Sequence, residues 1–296
     1  MNNANALRFS PGPHVRSRLT TGDVMYDVIL ALLPAAVFGV WRFGTRALLL
    51  ILSSVCAAVL VEFAIACFVG KENTIRDGSA AVTGLLLAMT LPPDVPVAMA
   101  FVGGASAVIL KALFGGLGRN RLNPALMGRC LLMVVLGSAM TAYGRKSGFE
   151  SVPVGADIVR VFLGTRSALI GGAVIALLLG GAYLLWNGGI SWHIPVGVIG
   201  GYTLLAMVFD GAAAGLMHTL LFLTGGGMLA AFFLATDPVT SPVSEQGQVG
   251  FGVSVGLLSV LFSRIMAVTE AVCLAVLLAD LLTPLFDRLL LLRGKA

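Results

Sequence analysis

Two short motifs concentrate the residues whose types could do chemistry. The first is Gly115-Gly116-Leu117-Gly118-Arg119-Asn120-Arg121-Leu122-Asn123-Pro124. Asn123 before Pro124 reads as a helix N-cap with proline at the first helical position. That leaves Asn120 and the run of glycines without a reason. Glycines let a backbone approach a flat ring or a phosphate closely. A helix N-terminus with two carboxamides can hydrogen-bond the edge of a heterocycle. A structural loop and a binding loop both fit these residues. The second motif is Ala235-Thr236-Asp237-Pro238-Val239-Thr240-Ser241-Pro242, where an apolar run meets hydroxyls, a carboxylate and two prolines. An acid at membrane depth is expensive and is a functional candidate by default. The other reading of Asp237 is an interfacial cap. Asp94, between Pro93 and Pro96, holds the analogous place earlier in the chain. Glu62 and Asp280 lie inside apolar runs. Each could carry a proton or cation, or pair with a Ser, Thr or Arg on a neighbouring helix, and the sequence leaves both roles open.

The elements that must position these residues are membrane helices. The chain has 296 residues, 58% of them hydrophobic and 11% charged, with a mean hydropathy of +0.97. Soluble domains carry about 25% charged residues, so composition excludes a soluble enzyme, a nucleic-acid binder and a disordered tail. The net charge of +5 fits the Lys and Arg excess of cytoplasmic loops. Cys56, Cys67, Cys130 and Cys273 lie in apolar runs with no CxxC pair. The expectation is buried thiols and no metal site.

A helix needs about 20 apolar residues to cross the hydrocarbon core. Such runs are predicted at 25–43, 47–69, 95–113, 123–144, 168–186, 192–209, 247–267 and 268–289. Two further runs, Ser79–Leu91 and Gly225–Ala235, are too short to cross alone and end in prolines. The segment 213–223 can join the second as one broken helix. The expected fold is therefore all-α and polytopic, with about ten transmembrane elements. They fall into two five-element halves of like order, which an odd count per half makes inverted repeats with broken helices near the midplane. The expected organisation is a cytoplasmic segment 1–24, a first membrane repeat 25–144 and an outer loop 145–167. A second repeat 168–289 and a cytoplasmic tail 290–296 follow. With ten elements and the N-terminus inside, all but seven of the 19 Lys and Arg fall on or near the inside. The seven are Arg42, Arg46, Arg145, Lys146, Arg160, Arg166 and Arg264. Both termini are thus expected in the cytoplasm, with 145–167 in the periplasm.

Four motifs in order carry a resemblance. They are Ser10-Pro11-Gly12-Pro13-His14-Val15-Arg16-Ser17, then Asp77-Gly78-Ser79-Ala80-Ala81-Val82-Thr83-Gly84-Leu85-Leu86-Leu87-Ala88, and the two motifs above. The chain resembles the D-subunit family of the Rnf ion-translocating ferredoxin:NAD oxidoreductase complex. It is more distantly similar to the B subunit of the sodium-pumping NADH:quinone reductase. The resemblance implies two inverted five-helix halves, as in urea channels. It also implies flavin: an FMN joined by a phosphoester to a threonine, and a riboflavin bound without a covalent bond. Carried over, Asn120, Asn123 and Asp237, with Thr236 beside it, lie at non-covalent flavin (riboflavin or FMN). The covalent site departs from the family pattern. Its nearest match is Val154-Gly155-Ala156-Asp157-Ile158, with Asp157 at the threonine position. A carboxylate cannot form that ester, so no phosphoester-linked FMN is expected. Thr165 and Ser167 are the nearest hydroxyls, with Thr165 the fallback. The later family turn reads Gly171-Gly172-Ala173-Val174 here, and a C-terminal stretch reads Met266-Ala267-Val268-Thr269-Glu270.

The expected function is that of a multi-pass inner-membrane component of an Rnf-type electron-transport complex. It would pass electrons through bound flavin, coupled to Na⁺ or H⁺ translocation, as part of a translocase and not catalytic alone. Its expected partners are the other Rnf-type subunits and the bilayer. No residue is expected to act as a nucleophile or general base, and no metal site is expected. The alternatives are a urea-channel-like solute channel or transporter, and a cofactor-free structural component of the complex.

Overall fold

The computed structural model describes residues 20–69, 77–116, 118–146 and 169–293. Among the described residues every regular element is helical. The helices are α1 (Thr21–Phe43), α2 (Thr45–Val69), α3 (Ser79–Met89), α4 (Val97–Leu113), α5 (Pro124–Lys146), α6 (Val174–Trp186), α7 (His193–Asp210), α8 (Ala212–Phe222), α9 (Glu245–Ser263) and α10 (Val268–Arg293). Five of them, α1, α2, α7, α9 and α10, are long and apolar enough to cross a membrane unaided. The outer loop 145–167, with Asp157 and Thr165, lies almost wholly outside the described residues.

Local chemistry sets the helix ends. Thr20 caps α1 reciprocally: its Oγ1 accepts from Asp23 N at 3.3 Å, while Asp23 Oδ2 accepts from Thr20 N at 2.7 Å. Gly44, at φ 69°, turns the chain into α2. Past α8 the helix continues through two π-turns, Leu223–Gly227 and Ala230–Leu234, and breaks at Gly226, where φ is 103°. The segments 213–223 and 225–235 are thus one broken helix, as the sequence suggested.

The two short elements form the centre of the bundle. Every residue of α3 except Ala81 is buried, and so is every residue of Ala230–Leu234. A helix apolar on all sides must be covered on all sides. The long helices do this and present their other faces outward, where Trp41, Trp186 and Trp192 lie exposed near helix ends, as interfacial anchors do. Cys56 and Cys67 are exposed on this perimeter. The expected burial therefore holds for Cys273 and in part for Cys130, because α2 turns one face to lipid. Among the described residues, no group of His, Cys, Asp or Glu could hold a metal ion.

Small residues allow the closest helix contacts. Ser54 of α2 donates its Oγ to Gly84 O of α3 at 2.8 Å, and a Cβ on Gly104 of α4 would collide with Ser54 O. On the other side, Gly197 and Gly201 of α7 face Gly252 and Gly256 of α9. The run expected at 168–186 is helical only from Val174. Upstream of it, Ile170 N and Gly171 N donate to Leu91 O (3.2 Å) and Met89 O (3.0 Å) at the end of α3. Those amides satisfy carbonyls at the C-terminal end of α3, which the helix itself leaves without partners.

Candidate functional site

The two chemical motifs meet at one end of the bundle, the end at which α1 begins. A cleft of about 740 Å³, its open mouth included, lies there, and Asn120, Asn123, Thr236 and Asp237 all line it. Its apolar wall includes Met25, Val28, Leu86, Ile190, Phe232 and Phe233. Gly181 of α6 makes room for the Phe232 ring, and a Cβ there would collide with it. The cleft has the mostly apolar lining, with a few convergent polar groups, of a small-molecule site.

Each motif residue also has a structural task. Asn123 Oδ1 accepts from Ala125 N (3.0 Å) and Leu126 N (3.4 Å), which makes it the N-cap of α5. Its Nδ2 donates to Leu234 O at 3.1 Å, tying α5 to the end of the broken helix. Its backbone N donates to Asp280 Oδ2 of α10 at 2.9 Å. Asp280 therefore places its carboxylate at a helix N-terminus, where a negative charge is favoured. Asn120 is buried. In the amide orientation its neighbours require, it donates to Gly116 O at 2.7 Å and Lys111 O at 3.1 Å. Asn120 thus closes the loop after α4. The loop bends at Gly115, Gly116 and Gly118, with φ of 115°, 82° and 80°. Their positive φ is reason enough for glycine there. Thr236 Oγ1 donates to Phe232 O at 2.6 Å. Asp237 Oδ1 accepts from Val239 N at 3.1 Å, and its carbonyl accepts from Thr240 N and Ser241 N. Asp237 closes its own turn and stays only half-buried at the cleft.

The structure adds Lys111 and, beside it, Ser79, which sequence reasoning did not place at the site. Lys111, in the last turn of α4, lines the cleft. Its Nζ donates to Glu62 Oε2 of α2 at 3.3 Å and to Ser79 Oγ of α3 at 2.9 Å. Glu62 was singled out in the sequence, but its cation partner lies 49 residues away. The available signal was two opposite charges, Glu62 and Lys111, each within an apolar stretch of its helix. Asp94 sits at the other end of the bundle, where its carbonyl accepts from Arg46 Nη2 at 2.9 Å.

The arrangement is an apolar cleft with one polar edge. Apolar side chains flank it, the N-termini of α3 and α5 open on it, and one cation and one carboxylate stand in its wall. Comparison with known proteins identifies the family. Residues 8–293 match the model of the NQR2, RnfD, RnfE family. The D subunit of the proton-translocating ferredoxin:NAD(+) oxidoreductase complex of Clostridium ljungdahlii is 39% identical, covering 96% of this chain and 94% of the relative. The D subunit of the Na(+)-translocating ferredoxin:NAD(+) oxidoreductase complex of Acetobacterium woodii is 34% identical, covering 97% and 94%. The D subunit of the ion-translocating oxidoreductase complex of Escherichia coli is 32% identical, covering 95% and 96%.

Proposed function

The chain belongs to the NQR2, RnfD, RnfE family, and on that premise we propose that it is the membrane-embedded D subunit of an Rnf-type complex. The complex links electron transfer between ferredoxin and NAD to movement of Na⁺ or H⁺, as the names of its relatives state. Its partners are the other subunits, and its place is the inner membrane with both termini in the cytoplasm. The two five-element halves are proposed to be inverted repeats, and their like order is supported by matching packing: α2 packs on α3 and α4, and α4 on α5. Likewise α7 packs on α8 and α9, and α9 on α10. This orientation expects single cysteines in 145–167, in a background lacking the four native ones, to react with an impermeant thiol reagent in intact spheroplasts. Labelling only after lysis would refute it.

We propose further that the cleft holds a non-covalent flavin, riboflavin or FMN. The observation that carries this reading is the convergence of Asn120, Asn123, Thr236 and Asp237 on one apolar cleft. Asp237 and Lys111 would meet the polar edge, the apolar side chains would hold the ring and keep water out, and the asparagines would hold the loop and helix that shape the cleft. The flavin supplies the electron-carrying chemistry. The protein positions and tunes it.

The test is acid release of flavin from the purified full-length chain. One flavin per chain is expected, with no fluorescent band at the chain's mass after SDS denaturation. Asp237→Ala removes one polar partner, worth about 1–3 kcal/mol, or roughly one to two decades in flavin affinity. Wild-type affinity in that variant would place the flavin elsewhere. A fluorescent band would show a covalent flavin. Its loss in Thr165→Ala would put the linkage at that hydroxyl rather than at the Asp157 position.

A further inference from the structure

Lys111 is the one Lys or Arg in the wall of the cleft among the described residues. Its side chain is 3% exposed, and that of Glu62 is 11% exposed. An ammonium has three donors. Glu62 and Ser79 take up two of their directions. A buried lysine with one carboxylate partner and one open ligand cleft faces two competing sites for the same charge.

We propose that Lys111 is the charge-sensing residue of the cleft: its ammonium is shared between Glu62 and whatever negative charge the cleft holds. Resting on the flavin reading above, this makes Lys111 the residue that sets how readily the bound ring accepts electrons. A neutral flavin that takes up two electrons and one proton carries one negative charge. The ferredoxin–NAD couple of the complex supplies or removes the electrons. As that charge appears, it attracts the Lys111 ammonium and weakens its pairing with Glu62 (the converse holds on reoxidation). The N-termini of α3 and α5 face the same space and add to the positive potential. Asp237 stands in the same wall and opposes them. Oxidation state in the cleft and the strength of a buried ion pair between α2 and α4 thus become linked, because both draw on one cation.

The test is a spectroelectrochemical titration of the flavin in the purified full-length chain. Four variants are compared with wild type: Lys111→Met, Lys111→Arg, Glu62→Gln, and Lys111→Met combined with Glu62→Gln. The last removes both charges, so it leaves no buried acid without its lysine. Lys111→Met and the double variant are expected to lower the equilibrium constant for two-electron reduction at least tenfold, a fall of about 30 mV. Glu62→Gln is expected to raise it, because the lysine then serves the cleft alone. Lys111→Arg keeps the charge and is expected to stay near wild type. A full flavin complement with an unmoved potential in both Lys111→Met and Glu62→Gln would overturn the proposal and leave the flavin reading standing. Absence of releasable flavin from the wild-type chain would overturn both. Loss of flavin from the double variant but not from Lys111→Arg would support the proposal. Loss from both, in chains that remain folded, would overturn it by showing that shape matters and charge does not.

Discussion

Asn123→Leu is expected to lower the apparent melting temperature of the detergent-solubilised chain by several degrees and to abolish flavin retention. One side chain serves two elements here. It caps α5 through Oδ1 and holds the end of the broken helix through Nδ2 to Leu234 O. Leucine fills the space but leaves the Ala125 amide and the Leu234 carbonyl without partners in a buried region. Losing the cap and orphaning the carbonyl together cost roughly 2–4 kcal/mol. The effect on the cleft is geometric, since Leu234 ends the helical segment that delivers Thr236 and Asp237. Asn123→Ser separates the two tasks: a hydroxyl can still cap α5 but does not reach Leu234 O. It should fall between wild type and leucine in thermal unfolding. A leucine variant that melts with wild type would show that the network does not hold the fold together.

Gly256→Ala is expected to be a strongly damaging single-methyl change in the second half of the chain. A Cβ there would lie 2.5 Å from Val198 O and 2.6 Å from Tyr202 N, both backbone atoms of α7. Side chains can turn away, but backbones move only with their helices, so α7 and α9 must separate. Overpacking of this kind costs about 1–3 kcal/mol or more. Gly200→Ala is the matched control: on the same α7, a Cβ there meets nothing within 4 Å. The control should be neutral or slightly stabilising, because alanine is the better helix former by about 1 kcal/mol. Equal yields of folded protein from both variants, measured by size-exclusion chromatography in detergent, would contradict the close-contact account.

What could be read in the sequence was what hydropathy and turn chemistry encode locally. The apolar runs located the long helices to within a few residues. Pro92 and Pro93 marked the end of α3, and Gly225–Gly227 marked the break after α8. Asn123 declared itself a cap through Pro124. The four motif residues were legible as a group through resemblance, and they do line one cleft. The misjudged features depend on surroundings that only the folded chain presents. The Lys111–Glu62 pair joins two helices across 49 residues, and no local pattern announces it. Asn120 looked unexplained because its acceptors, the carbonyls of Lys111 and Gly116, are backbone atoms that only the folded loop presents. The run at 168–173 looked helical because apolarity does not distinguish a helix from a buried strap whose amides bond α3. Cys56 and Cys67 looked buried because hydropathy treats lipid and protein interior alike.

The late start of α6 has a consequence for the lipid around it. Val174–Trp186 is 13 residues long, so it rises only about 20 Å. The hydrocarbon core is about 30 Å thick. Leu179 and Trp186 lie exposed along this helix, so its outer face is perimeter and not core. Acyl chains meeting that flank unaided would have to thin locally by about 10 Å, at a fraction of a kcal/mol for each ångström of mismatch. Over that depth the bilayer is a poor solvent for this one side of the molecule, and its thickness acts there as a force on the strap that leads into α6.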